Sequence, residues 1–176
     1  MYELPYLTDI IGYSNGFHDK SAVGCFYADA LRVALNVDIS FQNTGGIRAN
    51  LDEGDITKRE IFEISPFNNG TVIFEMTIKE IKDFMKGSGS GFYFSGILVE
   101  QIEREIEIWD TNGKRLPDQA ILKVGINDYI PAVHDFYFQM EGKRQLLSDA
   151  ETIIYYLENI YGQVEYQNSN CYFRFN

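Results

Sequence analysis

The sequence predicts an α+β fold, a mixed sheet with packed helices, and three observations point there. Capping boxes of the S/T-x-x-E type stand at Thr57-Lys58-Arg59-Glu60, Thr77-Ile78-Lys79-Glu80 and Ser148-Asp149-Ala150-Glu151, each offering reciprocal partners for the free amides of a helix start. Residues 102–108 alternate isoleucine with charge, the pattern of a strand with one wet face. Strand-like and helix-like stretches follow one another along the chain, with hairpin signals between them, and that order builds a mixed sheet.

In order, residues 6–13 mix apolar and polar side chains as a strand and end at Ser14-Asn15-Gly16. Asp19 or Ser21 can cap a helix running to about Leu35, with Val23, Phe26, Tyr27, Ala30, Leu31 and Ala34 as one buried stripe. Residues 37–42 form a buried strand that runs into Asn43-Thr44-Gly45-Gly46. A short helix starts at Thr57, carries Ile61, Phe62 and Ile64 inward, and stops at Pro66. Residues 70–76 are a strand, and a helix follows from Thr77 to about Lys86. Gly87-Ser88-Gly89-Ser90-Gly91 is a flexible loop, too closely flanked to separate domains. Strands are expected over 92–99 and 101–109, then an Asn112-Gly113 hairpin turn with a returning strand at 121–127. Residues 129–138 read as a ring-rich loop. The last helix opens at Ser148, places Ile153, Ile154, Leu157 and Ile160 on one side, and closes at Gly162. Short strands at 164–166 and 171–175 end the chain. With no internal repeat, residues 1–176 are expected to be a single domain.

At 176 residues the chain can bury a sizeable core. Its 12 Tyr and 13 Phe make any given ring a core residue by default. A net charge of −11 argues against binding a nucleic-acid polymer, whose affinity rests on neutralised phosphates. No apolar run reaches the roughly 20 residues of a membrane span. The start, Met1 to Tyr6, lacks the basic and apolar regions of a signal peptide. That leaves a cytoplasmic protein or one whose export signal has been removed. Cys25 and Cys171 follow no metal-ligand spacing. Two free, partly buried thiols are expected, with a disulfide between them left open.

The stretch from Phe41 to Asn69 carries the chemistry. Paired glycines at 45 and 46 permit positive φ and a close backbone approach. Amides in such a turn, beside Asn43 and the guanidinium of Arg48, suit an anion or ligand hydroxyls. A tight turn with a surface arginine would read the same way. The second turn, Ser65-Pro66-Phe67-Asn68-Asn69, offers a flat apolar ring and two amides. Taken alone, Phe67 after a proline reads as a core plug. Together the two turns supply what a nucleotide-sized ligand needs.

These motifs, N-x-G-G-I-R, then G-D-I-T, then P-F-N-N, resemble the C-terminal domain of the 5′-nucleotidase family. Ser21-Ala22-Val23-Gly24 through Ala28-Asp29-Ala30-Leu31 resembles that family's N-L-G-N-x-x-A-D-A helix. Phe94-Ser95-Gly96-Ile97 resembles its S-G strand, and Asn127-Asp128-Tyr129 the segment before its second aromatic. The resemblance spans roughly residues 20–140 in consistent order. It implies a domain that binds the base and sugar of a nucleotide, following a two-metal phosphoesterase domain. By that resemblance Asn43, Gly46 and Arg48 contact the ligand, Phe67 stacks on the base, and Asn69 and Gly96 join the ligand set. The family's D-[FY]-L-A-x-G-G-D-G-[FY] segment reads Asp128-Tyr129-Ile130-Pro131-Ala132-Val133-His134-Asp135-Phe136-Tyr137 here. Without gaps, Tyr137 takes the second stacking position and Asp135 matches the motif aspartate. Val133, His134 and Phe136 replace glycines, which predicts a partly filled or reshaped pocket. Where the family often has an arginine before the first helix, this chain reads Phe17-His18-Asp19-Lys20, which predicts a weaker phosphate hold, with Lys20 or His18 as the substitutes; the family's ribose-binding acid has no clear counterpart, Glu141 being the candidate.

No catalytic set is legible. The chain has only His18 and His134, with no D-x-H, no G-N-H-[DE], no Ser-His-Asp order and no P-loop. His134-Asp135 reads as a surface or core-edge pair, and no metal ligands are expected in this chain. The resemblance implies two divalent metals in a separate phosphoesterase domain or partner chain, a nucleoside or nucleotide ligand, and a cell-envelope, periplasmic or extracellular location. The competing expectation is an interaction module that docks on a metallophosphatase with its pocket blocked.

Overall fold

The computed structural model describes residues 5–166 and 170–176; the leader reading, made over residues 1–6, falls mostly outside them. A 3-10 turn at Pro5–Thr8 precedes β1 (Ile10–Ser14), so the strand expected from Tyr6 begins later. Helix α1 (Lys20–Ala34) is capped by Asp19, whose side chain accepts from the Ala22 amide at 2.9 Å. Then come β2 (Ile39–Asn43), a 3-10 turn at Thr44–Gly46, β3 (Gly54–Thr57), α2 (Lys58–Ile64), β4 (Gly70–Thr77) and α3 (Ile78–Gly87). The second half holds β5 (Phe92–Ser95), β6 (Leu98–Ile102), β7 (Glu105–Trp109), β8 (Ile121–Asn127), α4 (Tyr129–Val133) and a 3-10 turn at Asp135–Tyr137. It closes with β9 (Lys143–Ser148), α5 (Asp149–Asn159), β10 (Gln163–Val164) and β11 (Tyr172–Phe173). All three capping boxes form.

The central sheet has six strands in the order β11-β5-β2-β8-β4-β9. Strands β2 and β8 run parallel, with Phe41 opposite Ile126, and the other neighbours are antiparallel. Smaller sheets, β10-β1-β3 and β6-β7, flank it, so the fold is α+β with a mixed sheet, as expected. Helix α1 packs on one face of β2 and β5, and the apolar stripe of α3 covers the other. Alternation along β2 serves both sides. Phe41 enters the α3-side core against Phe84 and Phe92, and Ser40 donates to the Ala28 carbonyl of α1 at 2.8 Å.

Several expectations need correction. The strand expected over 92–99 breaks at Gly96, whose φ of +94° and close approach to the Asp38 carbonyl leave no room for a Cβ. That expected over 101–109 folds into the β6–β7 hairpin through Glu103, also at positive φ. The Asn112-Gly113 turn forms, but only Trp109 pairs back, with Arg115, and β8 inserts between β2 and β4 instead. The ring-rich loop contains α4. Strands β3 and β9 went unread, because four residues of G-D-I-T and the polar edge K-R-Q-L-L-S carry little alternation. Finally, Cys25 and Cys171 are not free thiols. They form a disulfide with Cα atoms 5.7 Å apart, tying α1 to the segment that pairs with β5. Closing a loop of 146 residues stabilises by roughly 4–5 kcal/mol in the chain-entropy account.

Candidate functional site

Strands β2 and β8 are parallel neighbours, so their carboxyl ends emerge side by side, the position where open sheets with parallel strands gather ligands. The loops leaving them, from Asn43 to Arg48 and from Asp128 into α4, make two walls of a hollow. The turn between α2 and β4, Pro66 to Asn69, makes the third. The hollow measures about 300 Å³ and is lined by Asn43, Gly45, Arg48, Phe67, Asn69 and Tyr129.

Each wall is held by the backbone behind it. Asn43 Oδ1 accepts from the amide of buried Asn127 at 2.9 Å and from Gln42 Nε2 at 3.2 Å, which fixes the Asn43 side chain across the two strand ends. Gly46 lies beneath, where a Cβ would sit 2.5 Å from Gln42 Nε2. Space is therefore what requires this glycine; neither Gly45 nor Gly46 has the positive φ that paired glycines suggested. The Arg48 amide donates to the Ile64 carbonyl at 2.8 Å, bracing the glycine turn against the end of α2. Its guanidinium carbon stands 5.9 Å from the Phe67 ring centroid and has no carboxylate partner among the described residues. A cation over an exposed ring contributes about 0.5–1 kcal/mol.

Phe67 is 53% exposed, which overturns the core-plug reading. Its turn passes through Asn68 at φ +51° and ends at Asn69, whose carbonyl accepts from the Asp149 amide at 2.9 Å. Tyr129, 48% exposed, opens α4 on the far side, and no ring-to-ring contact joins it to Phe67 among the described residues. Two aromatic faces thus border one hollow, with a cation and two amides at its edge.

Five of the eight expected ligand residues come together: Asn43, Arg48, Phe67 and Asn69 in the lining, and Gly46 under it. Gly96 does not join them. It follows Ser95, which pairs with Ser40, so it lies level with Ile39, four residues before the Asn43 end of β2. Tyr137 does not join them either. The chain from α4 onward crosses to the α3 face, where Phe138 is plugged between Phe74 at 5.1 Å and Phe84 at 5.0 Å. That plug carries the Tyr137 ring to within 6.1 Å of Phe84 and its hydroxyl against Gly87, beside a separate hollow of about 550 Å³. Asp135 is on the same turn and lines neither hollow; its carbonyl accepts from Gln139 Nε2 at 2.7 Å.

The glycine replacements do not fill the site. Phe136 lines the hollow beside Tyr137, while His134 packs edge-on to Phe84 and Phe92, and burial lowers its pKa. Val133, at the end of α4, is not in the lining of the Phe67 hollow. His18 is no surface cation. It is 1% exposed, its Nε2 accepts from the Tyr166 amide at 3.0 Å, and its Nδ1 meets Ser14 Oγ at 3.0 Å. An acceptor Nε2 makes Nδ1 the protonated nitrogen, and Ser14 passes the chain on to the Gly16 carbonyl. Lys20 opens α1 in the open, and Glu141 borders a third hollow near Lys123 and Lys143. Among the described residues no three His, Cys, Asp or Glu side chains gather to hold a metal. No metal-dependent step is assigned to them. What the arrangement can do is bind a flat, hydroxyl-bearing or anionic ligand.

Sequence reading missed Tyr129 as a wall, Asn127 as the brace of Asn43, and Asp149. The available signal for Tyr129 was its place directly after a buried strand end, where a side chain stays accessible.

Residues 8–142 match the family described as 5′-nucleotidase, C-terminal domain. Over 169 residues the chain is 27% identical to a probable 5′-nucleotidase of Treponema pallidum, covering 80% of this chain and 28% of that protein. Its fold is similar to the crystal structure of a 5′-nucleotidase precursor from Thermus thermophilus, with TM-score 0.76, 22% identity and coverage of 94% of this chain and 39% of that one. A Haemophilus influenzae NAD nucleotidase structure is similar with TM-score 0.75 and 20% identity, covering 94% and 38% of the two chains. The chain thus spans well under half the length of the proteins it matches. No helix among the described residues is long and apolar enough to cross a membrane.

Proposed function

Because this chain belongs to the family of 5′-nucleotidase C-terminal domains, we propose that residues 1–176 are one such domain and recognise the nucleoside part of a nucleotide during its breakdown. The base would lie between Phe67 and Tyr129, with Asn69 at its edge and Asn43 and Arg48 toward the sugar and phosphate. The observation that carries this reading is the hollow itself: two exposed rings, a guanidinium with no carboxylate partner among the described residues and two amides line about 300 Å³ at the ends of β2 and β8. Stacking is worth roughly 1–3 kcal/mol per base and tolerates any base, so purines and pyrimidines would both enter.

Hydrolysis would belong to a metal-bearing phosphoesterase domain or partner chain, where two divalent ions could activate water and hold the phosphoryl oxygens. The Cys25–Cys171 disulfide supports work outside the cytoplasm, in an oxidising compartment such as the periplasm or cell exterior. Calorimetric titration with adenosine, uridine and AMP tests the reading. Saturable binding of all three, weakened by about 1–3 kcal/mol in Phe67→Ala, is the expected result. A flat trace for all three would overturn it and leave the interaction module, with docking on a metallophosphatase as the remaining role.

A further inference from the structure

Resting on the nucleoside reading above, we propose that Asp149 is a positioning residue, which holds the Phe67 wall by gripping both feet of its turn. Asp149 is 1% exposed, opens α5, and is not in the lining of the hollow. Its carboxylate Oδ2 accepts from the Ser65 hydroxyl at 2.8 Å, at the residue that ends α2 and precedes Pro66. Its backbone amide donates to the Asn69 carbonyl at 2.9 Å, at the other end of the same turn. Between these two points lie only Pro66, Phe67 and Asn68, and Asn68 is held at φ +51°. A non-glycine residue in that region persists where its surroundings over-determine it.

The carboxylate is itself fixed. Oδ1 accepts from the Ala150 amide at 2.7 Å, inside the capping box that Ser148 and Glu151 close at the start of α5. Both oxygens therefore act as acceptors, one from the foot of the Phe67 turn and one from the first turn of α5. One buried acid converts the rigidity of α5 into the orientation of an exposed ring. The groups that face it are Ser65 on α2, Tyr27 on α1 and Asp128 at the end of β8. No cation among the described residues pairs with it, so binding to Ser65 and Ala150, not an ion pair, is what its charge supports. Burial raises its pKa against those two hydrogen bonds.

The test uses Asp149→Asn, Ser65→Ala and each combined with Phe67→Ala. Adenosine affinity is read by calorimetry, and amide order parameters of residues 67–69 by NMR relaxation. Each single variant is expected to weaken adenosine about two- to tenfold, the net worth of one lost hydrogen bond, and to lower the order parameters of that turn alone. In the Phe67→Ala background neither change should weaken binding further, because Asp149 acts through the ring. Should Asp149→Asn not fold, Ser65→Ala, which removes one hydroxyl and keeps the acid, decides alone. An undiminished penalty in the Phe67→Ala background, or unchanged order at residues 67–69, overturns the proposal. If the parent chain does not bind adenosine, the nucleoside reading falls, while the order parameters still decide the grip.

Discussion

Phe67 and Tyr137 are both rings on short turns that follow a helix, and the molecule treats them oppositely. The Phe67 turn is tied at Ser65 and Asn69 while its ring stands 53% exposed. The Tyr137 ring lies against Phe84 with its hydroxyl over Gly87, carried there by the Phe138 plug. A ring is available to a ligand when its backbone is rigid and its face uncovered; aromatic identity at a motif spacing does not suffice. Tyr129, eight residues earlier, meets both conditions because it leaves directly from the buried Asn127 end of β8.

The largest expected effect breaks the Tyr137 side. Phe138→Ala empties a site between Phe74 and Phe84 and should lower stability by about 3–5 kcal/mol in a denaturant melt, with adenosine affinity of the folded fraction unchanged. Next, Phe67→Ala and Tyr129→Ala should each weaken adenosine by about 1–3 kcal/mol in calorimetry, while stability falls by no more than the cation–ring contact of about 0.5–1 kcal/mol for Phe67 and holds for Tyr129. Tyr137→Ala should do the reverse. Smaller still, Arg48→Met should weaken AMP by about 0.5–1 kcal/mol more than adenosine, and the salt dependence of AMP binding should flatten with it.

The smallest effect concerns pH. Folding raises the Asp149 pKa, chiefly through desolvation, so the native state holds this proton more tightly than the unfolded chain does. Its contribution to stability is therefore present in acid and lost as pH rises through the folded value. Melts should show the stability of Asp149→Asn relative to the parent improving as pH rises from acid to neutral, on top of the pH-independent cost of its lost hydrogen bond.

Local chemistry made much of the fold legible. The three capping boxes placed the starts of α2, α3 and α5, and Asp19, one of two candidate caps beside Ser21, is the one that starts α1, because a cap is decided by residues three or four apart. What failed depends on distant partners. Strand β3 exists because β1 lies beside it, and β9 because β4 does. The disulfide needs residues 146 apart to meet. In the candidate site, the meeting of Asn43, Arg48, Phe67 and Asn69 around one hollow was readable because two short turns carry them. The second wall was not, since an ungapped count could not tell that the chain turns away after Val133. Nor could Asp149, whose reach to Ser65 spans 84 positions.

The central claim is that the hollow between Phe67 and Tyr129 receives a nucleoside. Amide chemical-shift changes during an adenosine titration test it most directly. Expected is a saturable set confined to Gly45, Arg48, Phe67, Asn69 and Tyr129. Shifts centred on Gly87, Tyr137 and Phe175, or none at saturating adenosine, would contradict it.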